Sequence, residues 1–170
     1  MNMSNTIYSA DQISTKTTEC ANWIDRITKN SDVVLVPILQ SSFMFATDVC
    51  KRLQSAPALD FCGIMRYESD GSPEDLYMYK GVDMATYNNK TIVIMDVLCS
   101  TGSTMNFVSK FLLQWGAKKV YTAALLTRQF STHKPNWTGY TISDESIIGY
   151  GIDKNYKHRT LNYIAHEQEN

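Results

Sequence analysis

Asp96 closes an apolar, β-branched run, Thr91 to Met95. After Val97-Leu98-Cys99 comes the small, hydroxyl-rich stretch Ser100-Thr101-Gly102-Ser103-Thr104, beyond which the apolar spacing turns helical. Strand, acid, small loop and helix in that order is how a βα anion site is written. The first turn of a helix has N–H groups without intrahelical partners and carries the positive end of the macrodipole. Hydroxyls at Thr101, Ser103 and Thr104, with side-chain-free Gly102 between them, let a phosphate monoester take several short hydrogen bonds there. The same residues equally describe a capped turn with nothing bound. The chain has no G-x-x-x-x-G-K-[ST] signature, which argues against an ordinary nucleoside triphosphatase.

Two further places repeat the pattern. Ser41-Ser42 put small hydroxyls after the apolar run Val33 to Leu39, and Asp153 follows Ile147-Ile148-Gly149-Tyr150-Gly151-Ile152. Between them, Tyr67 to Asp75 is polar and carries glycine and proline, so a mobile lid over a site is one reading and a solvated hairpin tip the other.

These residues need elements to hold them. Ser9 with Gln12 predicts a capping box opening an amphipathic helix that ends near Asn30, with Ile13, Cys20, Trp23, Ile24 and Ile27 on its apolar face. Val33 to Leu39 reads as a strand buried on both faces. A helix with Phe45, Ala46, Val49, Cys50 and Leu53 follows, then a strand from Leu59 to Tyr67 and a β-prone stretch from Leu76 to Val82. Phe107 to Trp115 predicts a helix stopped by Gly116, and Val120 to Leu126 returns as a strand. Strands alternating with helices imply an α/β fold with a parallel, doubly wound sheet, its ligands at the carboxyl ends of the strands. Gln40, Tyr67 and Ser100 all fall at that edge.

With 170 residues and 44% apolar content, one domain over 1–170 is the expectation. A net charge of −1 and no basic stripe give no electrostatic case for nucleic acid or an acidic membrane surface. Cys20, Cys50, Cys62 and Cys99 form no C-x-x-C pair and read as buried thiols. No run reaches the about 18 apolar residues of a membrane span, so a cytoplasmic protein is expected. His133, His158 and His166 share no metal-ligand spacing.

The order and spacing of Leu39-Gln40-Ser41-Ser42-Phe43-Met44-Phe45, of Asp96 through Thr104, and of Ile147 through Asp153 with Arg159 and Leu161 resemble the hypoxanthine-guanine phosphoribosyltransferases. The likeness runs from Ile7 to Ile164 and lines up from Lys134-Pro135 through Leu161. It implies a parallel sheet flanked by helices with a small hood from the termini. It also implies transfer of a phosphoribosyl group from phosphoribosyl pyrophosphate to a purine base, with magnesium on the pyrophosphate and a homodimer or homotetramer as the assembly.

Position by position, the resemblance puts Ser100 to Thr104 at the ribose 5′-phosphate. Leu39, Gln40 and Ser41 fall on a loop at the pyrophosphate that contains a non-proline cis peptide, with Arg159 nearby. Asp96 falls at the ribose hydroxyls and Asp153 at magnesium and near the base. Arg128 and Ile147 fall at the base, and Tyr67, Glu68 and Ser69 in the lid. Asp96 and Ser100 occupy the catalytic positions.

Four positions depart from the family. The second of its paired acids is Val97, its acid at the head of the phosphate loop is Ser100, its lysine beside the pyrophosphate is Gln40, and its base-stacking aromatic is Ser146. A serine hydroxyl cannot take a proton near neutral pH, and losing a general base costs about 10² to 10⁴ in rate. Glu68 or Asp144 stands as an alternative acceptor, and Trp137 or Tyr140 as an alternative ring. Losing one stacking contact and one charged hydrogen bond removes about 2 to 4 kcal/mol of base affinity. An active transferase is therefore set against a weak or inactive relative that binds a nucleoside monophosphate as a regulatory module.

Overall fold

The long apolar runs Val33–Leu39, Thr91–Cys99 and Lys119–Arg128 lie side by side in a computed structural model that describes residues 5–67, 75–80 and 84–167. In chain order the elements are β1 (Thr6–Tyr8), α1 (Ala10–Thr28), β2 (Val33–Leu39), α2 (Phe43–Cys50), β3 (Ala58–Leu59), β4 (Cys62–Tyr67) and β5 (Asp75–Lys80). They continue with α3 (Met84–Tyr87), β6 (Thr91–Cys99), α4 (Ser103–Gln114), β7 (Lys119–Arg128), β8 (Trp137–Ile142), β9 (Ile147–Ile148) and β10 (Ile164–His166). The main sheet runs β5-β4-β2-β6-β7-β8, with β3 also on β2. The hood is the antiparallel set β1-β10-β9, made from both ends of the described chain.

Strand alternation divides the apolar residues between two cores. Val33, Leu35, Val93, Met95, Ala123 and Leu125 meet α1 and α2 on one face. Val34, Val36, Ile92, Ile94 and Ala124 meet α4 and Tyr87 on the other. The continuous run Val33 to Leu39 is thus buried on both sides. The expected capping box forms in both directions between Ser9 and Gln12. Trp23 and Trp115 pack at the edges of the cores, half-buried.

Three expectations change in detail. The sheet is parallel except at its edge, where β5 runs antiparallel to β4. The strand expected from Leu59 to Tyr67 is broken at Asp60-Phe61, where the Asp60 carboxylate accepts from the Phe61 N–H (2.7 Å), Tyr87 Oη (2.5 Å) and Lys80 Nζ (3.1 Å). Cys50 is half-buried, whereas Cys20, Cys62 and Cys99 are buried, and all four are free thiols. No helix among the described residues is long and apolar enough to cross a membrane.

Asp25 on α1 ties down the chain after α2, accepting from Gln54 N (3.0 Å), Ser55 N (2.9 Å) and Ser55 Oγ (2.6 Å). Burial pushes its carboxyl up, but these donors outweigh it and hold the group below its ordinary value of 3.8. A carboxyl depressed in the folded state stabilises fully above its unfolded value, and that stability is lost as pH falls through the folded value. The urea midpoint is therefore expected to drop as pH falls below 3.8, and Asp25→Asn is expected to flatten that limb. An unchanged acid limb in the variant would remove Asp25 from the account.

Candidate active site

A cavity of about 650 Å³ opens at the carboxyl edge of the sheet. One wall is the end of β2 and its turn, Ile38 to Ser41; the floor is Asp96 to Ser100 with Gly102, Thr104 and Met105. The β4–β5 hairpin contributes Ile64, Met65 and Tyr79, and the segment after the hood strand contributes Ile152, Asp153, Tyr156 and Arg159. Of the expected residues, Leu39, Gln40, Ser41, Asp96, Ser100, Gly102, Thr104, Asp153 and Arg159 thus meet around one space.

The phosphate-type loop has the anticipated form. Gly102 is the N-cap of α4 at φ +91°, in the left-handed region, and makes no side-chain cap bond because it has no side chain. Thr101 Oγ1 accepts from Ser103 N (3.3 Å) and donates to Ser103 Oγ (3.1 Å). On the neighbouring wall the Leu39–Gln40 peptide is cis, as the resemblance implied, and Gln40 is exposed. Asp96, 8% exposed, accepts from Ser41 Oγ (2.9 Å) and from the Val97 N–H (2.7 Å), tying the strand end to that turn.

Asp153 and Arg159 form an ion pair, Oδ1 to Nη2 at 2.7 Å. The other Asp153 oxygen accepts from Tyr156 N (2.8 Å), and Arg159 Nη1 donates to Gly151 O (2.7 Å). The chain reaches this arrangement through left-handed Gly149, Tyr150 and Gly151 (φ +101°, +47° and +99°). The buried Tyr150 hydroxyl donates to Asp48 on α2 (2.8 Å), and burial together with that carboxylate pushes its pKa far up. A Cβ on Gly151 would lie 1.9 Å from Ser41 O. Gly151→Ala is expected to cost about 2 kcal/mol or more, because it adds left-handed strain to a backbone clash. It should also push the Ser41 turn away from Asp153. Thermal melting and pyrophosphate titration check both parts.

Other expected residues stand elsewhere. Arg128 does not line the cavity: its guanidinium donates to Ser143 O (2.7 Å) and Glu145 O (3.0 Å) and pairs with Asp144 (3.3 Å), stapling the end of β7 to the chain before β9. Ile147 is buried in the core that α1 and α2 cover. Thr101 and Ser103 belong to the loop without lining the cavity. Tyr67 ends β4, while Glu68 and Ser69 lie outside the described residues.

Neither alternative ring reaches the cavity. Trp137 stacks on Phe45 at 6.1 Å, and Tyr140 stacks on Tyr8 at 4.1 Å and donates to Gln12 O. Asp144 pairs with Arg128 and does not line the cavity that Ser100 lines. Among the described residues the rings that line the space are Tyr79, which the sequence suggested only as a strand residue, and Tyr156, which carried no expectation. The glycines at 149 and 151 were the available signal for the turn that carries Tyr156.

Magnesium favours hard oxygen donors and binds through one or two carboxylates plus substrate phosphates. Among the described residues no three His, Cys, Asp or Glu side chains converge. Asp96 and Asp153 nonetheless line one cavity together with serine and threonine hydroxyls. That donor set fits a magnesium ion arriving on a diphosphate.

The phosphoribosyl transferase domain family matches this sequence over residues 3–155. The chain belongs to that family. As a phosphoribosyltransferase homologue it is 32% identical over 139 residues to hypoxanthine phosphoribosyltransferase of Escherichia coli, covering 79% of this chain and 78% of that one. It is 27% identical over 145 residues to hypoxanthine-guanine phosphoribosyltransferase of Rattus norvegicus, covering 78% of this chain and 66% of the rat protein. A crystal structure of a hypoxanthine-guanine phosphoribosyltransferase from Bacillus anthracis superposes with TM-score 0.86 at 25% identity, over 97% of this chain and 98% of that one. The architecture is the type I phosphoribosyltransferase fold.

Proposed function

We propose that this phosphoribosyltransferase homologue transfers the 5-phosphoribosyl group of phosphoribosyl pyrophosphate to a purine-like base, releasing pyrophosphate and a nucleoside monophosphate. The observation that carries the reading is the shared cavity, in which the phosphate-type loop at the start of α4 faces the same space as Gln40, Asp153 and Arg159. A substrate with a phosphate at one end and a diphosphate at the other needs donors on two walls.

In the reaction a base nitrogen bonds to ribose C1, the bond from C1 to the pyrophosphate oxygen breaks, and the proton lost by the base passes to water or to the departing pyrophosphate. Thr101 to Thr104 and the first turn of α4 hold the 5′-phosphate, while Asp96 orients the ribose hydroxyls and stabilises positive charge growing on the sugar. Arg159 and the main chain at Gln40 meet the departing pyrophosphate. Asp153 would hold a magnesium ion, which when bound would neutralise charge on that leaving group. The half-buried apolar lining, Ile64, Leu98 and Ile152, would limit the water left beside the sugar once substrate fills the cavity.

A second reading, a nucleotide-binding module with little turnover, is favoured by two placements. Val97, where the resemblance expects an acid, is fully buried, and Ser146, where it expects a ring, is exposed and ringless. A pyrophosphate-release assay with phosphoribosyl pyrophosphate, magnesium and a panel of purines and pyrimidines separates the two. Base-dependent release lost in Asp153→Asn supports the transferase. Binding of a nucleoside monophosphate without release by any base would replace it with the module.

A further inference from the structure

Gly102, the N-cap of α4, has no side chain to hold the first turn, and within the loop Thr101 Oγ1 meets one of its donors, Ser103 N (3.3 Å), so further support for the turn comes from behind the loop. The chain between β7 and β8 lies there. Thr132 donates twice to Thr101 O, from its N–H (3.2 Å) and its Oγ1 (3.0 Å). The next residue sits directly on Gly102: a Cβ built on that glycine would lie 2.3 Å from His133 Cβ.

The His133 ring bridges two elements. Nδ1 lies 2.8 Å from Asn106 Oδ1 on α4, and Nε2 lies 3.0 Å from Thr122 Oγ1 on β7. Thr122 is itself fixed, its N–H donating to Asn136 Oδ1 (2.8 Å). Burial lowers the pKa of the ring below its ordinary value, so at neutral pH one nitrogen donates and the other accepts. Nδ1–H therefore donates to the Asn106 carbonyl, and Nε2 accepts from the Thr122 hydroxyl.

We propose that His133 is a positioning residue for the phosphate loop, fastening Gly102 and the first turn of α4 to β7 so that the helix donors stay aimed at a sugar phosphate. This rests on the reading of that loop as the 5′-phosphate site. The side chain does not line the cavity, so its influence on a ligand passes through Asn106 and Gly102.

The test is calorimetric titration of the full chain with ribose 5-phosphate, and separately with pyrophosphate, for the wild type and for His133→Ala, His133→Asn and His133→Gln. Losing one such bond costs about 1 kcal/mol, so His133→Ala is expected to bind ribose 5-phosphate about 5-fold more weakly. Pyrophosphate affinity should stay unchanged. Asparagine can place an amide N–H near the position of Nδ1 and should restore most of the loss. Glutamine reaches only the Nε2 position and should not.

Wild-type affinity in His133→Ala, equal loss of both ligands, or equal rescue by glutamine would overturn the role. If the alanine variant fails to fold, the asparagine-against-glutamine comparison decides alone. Failure of the wild type to bind ribose 5-phosphate would overturn the phosphate reading, and the role of His133 with it, before any variant is made.

Discussion

Turnover with phosphoribosyl pyrophosphate and a purine base is expected to rise by about 10²-fold when Ser100 is replaced by aspartate, the low end of what a positioned general base contributes. Ser100 lines the cavity floor at the end of β6, a few residues beyond Asp96. A hydroxyl there can donate or accept a hydrogen bond but cannot take the proton that the base must lose. A new carboxylate near Asp96 would feel its charge, and like charge raises a carboxyl pKa toward the range useful for a base. The variant should therefore gain an acid limb in its pH–rate profile that the wild type lacks. A rate that stays flat, or rises with no new pH dependence, would show that position 100 does not face the reacting nitrogen. A tenfold or smaller gain from an already active wild type would mean that another group is serving as base.

The reason Ser100 could be singled out is that it lies in a stretch whose local chemistry and fold agree. Thr91 to Thr104 reads as strand, turn and helix from its residue types alone, and the structure builds β6, a left-handed Gly102 and α4 from it. Ser9 with Gln12 is legible for the same reason, since a capping box needs only residues three apart. Asp60 was not legible as a strand break. Its partners Tyr87 and Lys80 are far along the chain, and a carboxylate in an apolar run gives no hint of them. Trp137 and Tyr140 show the opposite failure. They carry the right ring for a base, but sheet alternation and the hood use both rings for packing. Arg128 likewise keeps its charge but spends its donors on the carbonyls of Ser143 and Glu145. His133 had no motif at all, because its meaning lies in Asn106 and Thr122, on two other elements.

The ion pair of Asp153 with Arg159 gives the sharpest separation between structural and chemical roles. The two side chains are 28% and 22% exposed, so the pair contributes at most about 1 kcal/mol to folding. Asp153→Asn keeps the acceptor for Tyr156 N and the side-chain volume, and is expected to move the thermal midpoint little. Activity should behave differently. If Asp153 holds magnesium on the leaving group as proposed, its removal is expected to lower kcat/KM by about 10² to 10³ and to raise the magnesium concentration needed for half-maximal rate. Arg159→Gln is expected to lower pyrophosphate affinity instead, with the magnesium requirement unchanged. In the structure each group of the pair neutralises the other, whereas the proposed turnover has the carboxylate face the metal and the guanidinium the diphosphate. Both proposed contacts go to one ligand, so the losses should be less than additive in the double variant. Full additivity would mean that metal and pyrophosphate are handled independently. A large loss of stability alongside the loss of rate would reassign Asp153 to holding the turn around Tyr156 rather than to chemistry.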